Sequence, residues 1–215
     1  IFDSDVSTFA PVDDSPVPEG YTLGPGDTLN VYLYGKEDRD YALSVNRVGQ
    51  LMLPRLGPIS VSGLTFMEAK NLITARVKSQ LVGTDAVVSM GKLRAINVFL
   101  SGDVVAPGSY SVSGLSTVLQ ALYAGGGVSE IGSLRNVQVK RRGETVATLD
   151  TYDIFLRGDT TSDIRLFSGD TVFVPPVERS VTLAGEVRRP AVYEILQSET
   201  LGDLLVMGGG LSSSG

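Results

Sequence analysis

The chain has 215 residues, 42% hydrophobic and 20% charged, enough for two or three small domains, and no apolar run approaches the roughly 20 residues of a membrane-crossing helix. It contains no cysteine, histidine or tryptophan, which excludes thiol nucleophiles, disulfides, thiolate or imidazole metal ligands and the usual proton shuttle near neutral pH. The net charge of −6 lies at one end: residues 1–40 hold nine acids and two bases, leaving fifteen acids and sixteen bases for a near-neutral body without the basic stripe that nucleic acid requires.

Residues 1–20 mix Asp, Ser and Pro with scattered apolar side chains and read as an extended acidic tail. From Tyr21 the texture changes to short runs of strand type, TLNVYLYG, QLMLP and PISVSG, each bounded by Gly or Pro. Thr65-Phe66-Met67-Glu68 has the capping-box pattern, with Phe66, Ala69, Leu72, Ile73 and Val77 following at helical spacing, so a helix is predicted over about 65–80, with Gly83 just past its end. DAVVSM and RAINVFLSG then return to the strand pattern.

The most informative feature is an internal repeat at an offset of 83 residues. LSGDVVAPGSY at 100–110 matches LAGEVRRPAVY at 183–193, and Thr117, Leu122, Gly125-Gly126-Gly127 and Ser129 stay in register with Thr200, Leu205, Gly208-Gly209-Gly210 and Ser212. Each copy reads as a strand, a turn with Gly102 and Pro107 or Gly185 and Pro190, a short strand ending near Tyr110 or Tyr193, and a helix stopped by three glycines. The first copy continues through a hairpin around Gly143, a short helix near Tyr152–Leu156 and the closing run GDTVFVPP. The second ends at Gly215 before its hairpin. We therefore expect unpaired edge strands, with local disorder or intermolecular pairing, over 180–215.

Two stretches carry a family resemblance. YTLGPGDTLNVYLYG (21–35) with VGQLMLPRLGPISVSGLTFMEAKNLI (48–73) resembles the polysaccharide biosynthesis/export domain, and the repeats resemble soluble-ligand-binding β-grasp (SLBB) domains. Together they cover about 21–215 and identify the chain as similar to Wza-type outer-membrane polysaccharide export proteins. The resemblance implies stacked periplasmic rings of identical subunits, an exported capsular or exopolysaccharide in the central cavity, and an inner-membrane co-polymerase as partner. It also implies a lipidated N-terminal cysteine and, in many members, an amphipathic C-terminal helix. This chain shows neither, as expected of a trimmed piece that is periplasmic and associated with the outer membrane.

The glycine triplets follow helices rather than precede them, so they read as helix stops and not as a phosphate cradle. Gly24, Pro25, Gly26 and Asp27, like Gly169 and Asp170, precede a strand and read as turn chemistry rather than catalytic carboxylates. Glu37, Asp38 and Asp40, and the spread Asp150, Asp153, Asp159 and Asp163, lack calcium-loop spacing and read as solvated acids. Tyr110 and Tyr193 hold equivalent places, which favours packing over stacking on sugars. Arg141, Arg142, Arg188 and Arg189 fall at predicted turns. A solvated loop is the plain reading; contact with a glycan or a neighbouring subunit is the sharper one.

The expectation is an α+β chain: an export domain over 21–96, an SLBB repeat over 97–178 and an incomplete one from 179. No cofactor, metal or catalytic residue is expected. The alternatives are a periplasmic glycan-binding or adaptor module and, more remotely, a carboxylate-dependent glycan enzyme. Partners are expected to be copies of itself, the co-polymerase and the polysaccharide.

Overall fold

A computed structural model describes residues 17–18 and 20–212, so the acidic tail over 1–16 lies outside the described residues. The chain is α+β and divides into two compact units. One runs to Ile96 and takes back Ser113–Leu115; the other comprises Asn97–Val112 and the chain from Ser116 onward.

In the first unit, β1 (Thr28–Gly35) is the centre of a three-stranded antiparallel sheet, between β2 (Arg39–Ser44) and β5 (Thr84–Met90). Its alternation decides the faces: Leu29, Val31 and Leu33 are buried, while Tyr32 and Tyr34 point outward and stay exposed. The hairpin of β3 (Gln50–Leu53) and β4 (Gly57–Ser60) adds Leu51, Leu53 and Ile59 to the same core.

Helix α1 (Phe66–Gln80) closes that core with Ala69, Ile73 and Val77, a stripe at spacing four. Leu72, predicted on the buried face, is 39% exposed, because the stripe is narrower than the full apolar set of the helix. The start is set by the capping box read in the sequence: Thr65 Oγ1 accepts from the Glu68 N–H, and the Glu68 carboxylate accepts from the Thr65 N–H at 2.8 Å. Those bonds hold the Glu68 carboxyl below its ordinary pKa. Thr65→Ala should lower the stability of this unit by about 1 kcal/mol; an unchanged urea midpoint would show that the cap does not hold the helix.

The second unit contains a five-stranded sheet in the order β7 (Gly108–Ser113), β6 (Ala95–Gly102), β10 (Thr171–Val174), β8 (Val137–Arg141), β9 (Glu144–Leu149). β10 runs parallel to β6 and antiparallel to β8. The predicted hairpin is present: β8 and β9 are joined through Arg142 and Gly143, both at positive φ, the conformation that suits a two-residue turn between twisted strands. Where a short helix was expected near Tyr152–Leu156, the chain makes a π-helical turn over Asp153–Arg157, closed by Gly158 at φ 73°.

The two repeat copies adopt one hydrogen-bond pattern. In the first, Val105 N–H donates to Gly127 O, Ala106 N–H to Gly125 O and Ser129 N–H to Asp103 O. In the second, Arg188 N–H donates to Gly210 O, Arg189 N–H to Gly208 O and Ser212 N–H to Glu186 O, each pair displaced by 83 residues. Helices α2 (Val118–Ala124) and α3 (Leu201–Met207) both start at a capping threonine, Thr117 and Thr200, and both end in the glycine triplets. Tyr110 and Tyr193 each donate a 2.7 Å bond to the carbonyl four residues back, which gives them the same packing place.

The copies differ in what covers them. Val118 is fully buried whereas its counterpart Leu201 is 69% exposed, and among the described residues β11 (Ser180–Leu183) pairs only with β12 (Ala191–Glu194). Residues 180–212 form a hairpin and a helix, and the expected unpaired strand edges are present, since β11 and β12 pair only with each other among the described residues. Leu183, Val187, Tyr193, Leu204 and Met207 share a small core with Tyr152, and Leu134 and Leu156 pack against it, so the first repeat supplies apolar cover that the second lacks by itself.

Candidate functional site

The recurring Gly-Asp-Thr turns are the best-defined polar constructions in the chain. Asp27 is fully buried and accepts four bonds: Gly24 N–H at 2.8 Å, Tyr21 O–H at 2.6 Å, Arg94 N–H at 2.8 Å and the Arg94 guanidinium at 2.7 Å. Gly26 provides φ 97°, which lets the turn close before β1. Asp170 repeats the device. It accepts from the N–H three residues back, Phe167, at 2.8 Å, and from Arg141 in a bidentate fork at 2.8 Å on both oxygens. Gly169 supplies φ 88°. Asp27 thus accepts four bonds and Asp170 three, an arrangement that fixes strand starts.

Arg141, expected at a turn, is partly engaged within the fold, with its side chain 34% exposed. Its guanidinium is held by Asp170, whose hydrogen bonds raise the Arg141 pKa above the ordinary guanidinium range, and it also stacks over Phe167. Arg142 stays exposed at the hairpin tip with φ 53°. Arg188 and Arg189 are exposed at the turn of the second repeat, and Arg189 edges a cleft of about 80 Å³ with Tyr152, Leu156, Asp203 and Met207. Gly102 and Gly185, with Pro107 and Pro190, lie in the matching turns of the two copies, both glycines at positive φ.

The scattered acids do not converge. Asp153 pairs with Arg157, Asp159 accepts from Thr161, Asp163 accepts from Leu119 N–H, and Asp38 accepts from Tyr32 O–H. Asp150 is drawn into a different cluster, which sequence reasoning missed. Arg135, its side chain 2% exposed, bonds Asp150 at 2.9 Å and Glu199 at 2.5 Å, and lies over the Tyr152 ring. Beside it Glu194 accepts from Ser133 O–H at 2.5 Å and Leu134 N–H at 2.8 Å.

Burial disfavours the charged form of Arg135, but bonds to Glu199 and Asp150 outweigh it and raise the pKa. Burial would raise Glu199 too, yet Arg135 and the Leu196 N–H pull it below the ordinary carboxylate value. Asp150 goes the other way: burial raises it more than the Tyr152 N–H and Arg135 lower it, although its 2.9 Å contact is that of an ion pair. A cleft of about 220 Å³ opens next to this cluster, edged by Asn136, Glu178, Arg179 and Gln197.

What these modules are is decided by comparison with known proteins. Residues 15–91 match the family model of the polysaccharide biosynthesis/export protein, and residues 97–150 and 180–215 match the SLBB domain. The chain belongs to the Wza-type polysaccharide export family. It is 30% identical over 180 residues to the polysialic acid transport protein KpsD of Escherichia coli, covering 83% of this chain and 32% of that protein. It is 28% identical over 167 residues to the EPS I polysaccharide export outer membrane protein EpsA of Ralstonia solanacearum, covering 74% of this chain and 44% of that one. The chain thus spans about a third to a half of the length of these export relatives. The interrupted SLBB match falls on the two blocks that share one hydrogen-bond pattern. Among the described residues no helix is long and apolar enough to cross a membrane.

Proposed function

We propose that this chain is the periplasmic part of a polysaccharide export protein, a ring-building component that lines a passive conduit for an exported glycan. The observation that carries this reading is the serial construction: an export unit followed by two copies of one small fold whose buried carboxylates are spent on strand starts and on the joint between copies. A chain of this kind builds walls. A long polymer slides along a surface that binds each sugar weakly, and strong pockets would stop it.

Copies of itself, an inner-membrane co-polymerase and the polysaccharide are the partners this reading assigns, with a place in the periplasm at the outer membrane. Sedimentation velocity over a range of concentrations tests it. The expected result is mass action toward a discrete ring-sized species; a strict monomer that instead binds oligosaccharide saturably would replace it with the glycan-binding adaptor reading. The polar cleft of about 220 Å³, edged by Asn136, Arg179 and Gln197, is the feature that favours that second reading.

A further inference from the structure

The cluster around Arg135 joins residues that belong to different copies of the repeat. Arg135, Ser133, Leu134 and Asp150 come from the first copy, Glu194 from the end of β12 and Glu199 from the residue before the capping Thr200 of the second. We infer that Arg135, Ser133 and Leu134 of the first copy with Glu194 and Glu199 of the second form a latch that fixes the orientation of the second repeat on the first, Asp150 bonding the arginine from its own side of the joint.

The bonding across the joint is dense and directional. Arg135 gives one guanidinium nitrogen to the Glu199 carboxylate at 2.5 Å and to the Glu194 carbonyl at 3.3 Å. Glu194 answers with its own carboxylate, one oxygen on Ser133 O–H and the other on Leu134 N–H, while its N–H donates to the Tyr152 hydroxyl at 2.9 Å. One cation thus faces three acids, and the third, Glu194, is satisfied by neutral donors rather than by charge. Tyr152 and Tyr193 meet edge-on beneath, with centroids 6.4 Å apart. A buried arginine fork of this kind is costly to desolvate and gains little stability over an apolar contact, so its contribution is directional: it permits one docking geometry.

The repeat itself supplies an internal control. At the offset of 83, the counterparts of Glu194 and Glu199 are Ser111 and Ser116. The first copy has no repeat before it and carries no acid at either place. The second copy, which must dock on a predecessor, carries both. The backbone bonds shared by the copies do not need these acids, so their presence only in the second copy assigns them to the joint and not to the repeat fold.

Because the chain has no cysteine, a pair introduced at the exposed Thr145 and Ala184 gives two unique spin-label sites, one in each repeat. Double electron–electron resonance on the Thr145→Cys/Ala184→Cys chain should give one narrow distance distribution. Glu199→Gln, Glu194→Gln and Arg135→Met should each broaden it about two-fold, the behaviour of a docked module released to swing on its linker, with the circular dichroism spectrum unchanged. Asp150→Asn, which touches the arginine from within the first repeat, should leave the width as it was. If the two glutamate variants keep the narrow distribution, the latch is wrong, even where Arg135→Met broadens it, since Arg135 would then act only within the first repeat. Should Arg135→Met fail to fold, the partly exposed glutamates still decide. The outcome is independent of whether the chain forms rings, so sedimentation and spin-label distances fail separately.

Discussion

Asp27→Ala should unfold the first unit at temperatures where the parent chain is stable. The carboxylate is fully buried and holds four donors, from Gly24, Tyr21 and twice from Arg94. Removing it leaves the Tyr21 hydroxyl and the Gly24 and Arg94 N–H groups without their acceptor, and takes its charged partner from the partly exposed Arg94 guanidinium, which keeps the Thr22 carbonyl and the Tyr21 ring. Each buried donor left unsatisfied costs about 1–3 kcal/mol, and several at once take a large share of the roughly 5–15 kcal/mol that holds a typical domain. The effect should be confined to the strands and helix up to Ile96. Asp27→Asn keeps an acceptor and the volume and should cost less, and Tyr21→Phe, which deletes one donor, about 1 kcal/mol. Urea unfolding followed by tyrosine fluorescence and circular dichroism gives the ordering. If Asp27→Ala and Tyr21→Phe shift the midpoint equally, Asp27 is only a turn residue and the arginine clamp carries nothing.

That clamp marks the limit of what the sequence could tell. The Gly-Asp-Thr turns were legible because the N–H that Asp27 or Asp170 captures lies three residues away, and capping boxes such as Thr65 with Glu68 are local for the same reason. The repeat was legible because register survives over thirty residues, including Tyr110 and Tyr193 and the glycine triplets. Arg94 and Arg135 were not. Their partners lie 67 and 64 residues away, and a charged residue in a polar stretch is solvated by default, so nothing local separates a buried clamp from a surface cation. Arg141 was read as a free turn residue on the same ground, since the bidentate bond to Asp170 exists only once β10 has been inserted between β6 and β8. That insertion, a parallel pairing between distant segments, has no signature in spacing. The incomplete second repeat leaves strand edges unpaired, as its sequence implies, but nothing in its spacing shows that Leu134, Tyr152 and Leu156 of the preceding copy cover its apolar side chains.

The two turn glycines separate a shared sequence motif from a shared environment. Gly102 and Gly185 are equivalent by the offset of 83 and sit at φ 78° and 93°, so any side chain at either place bears left-handed strain of about 1–2 kcal/mol. Their surroundings differ. A Cβ on Gly102 would stand 2.1 Å from the Val174 carbonyl oxygen and 2.9 Å from its carbon, at the point where β6 and β10 pair, whereas a Cβ on Gly185 meets nothing within 4 Å. The Val174 contact is backbone, and its oxygen already accepts from Asp103 N–H at 2.8 Å, so it cannot move without giving up the end of the parallel ladder. Gly102→Ala should therefore destabilise the second unit by about 3 kcal/mol or more, adding overpacking to strain, while Gly185→Ala should cost only the strain. Denaturant midpoints of the two variants, with the parent as reference, measure the gap. Equal shifts would mean that β10 does not press on Gly102, and the sheet order that places it between β6 and β8 would fall with that result.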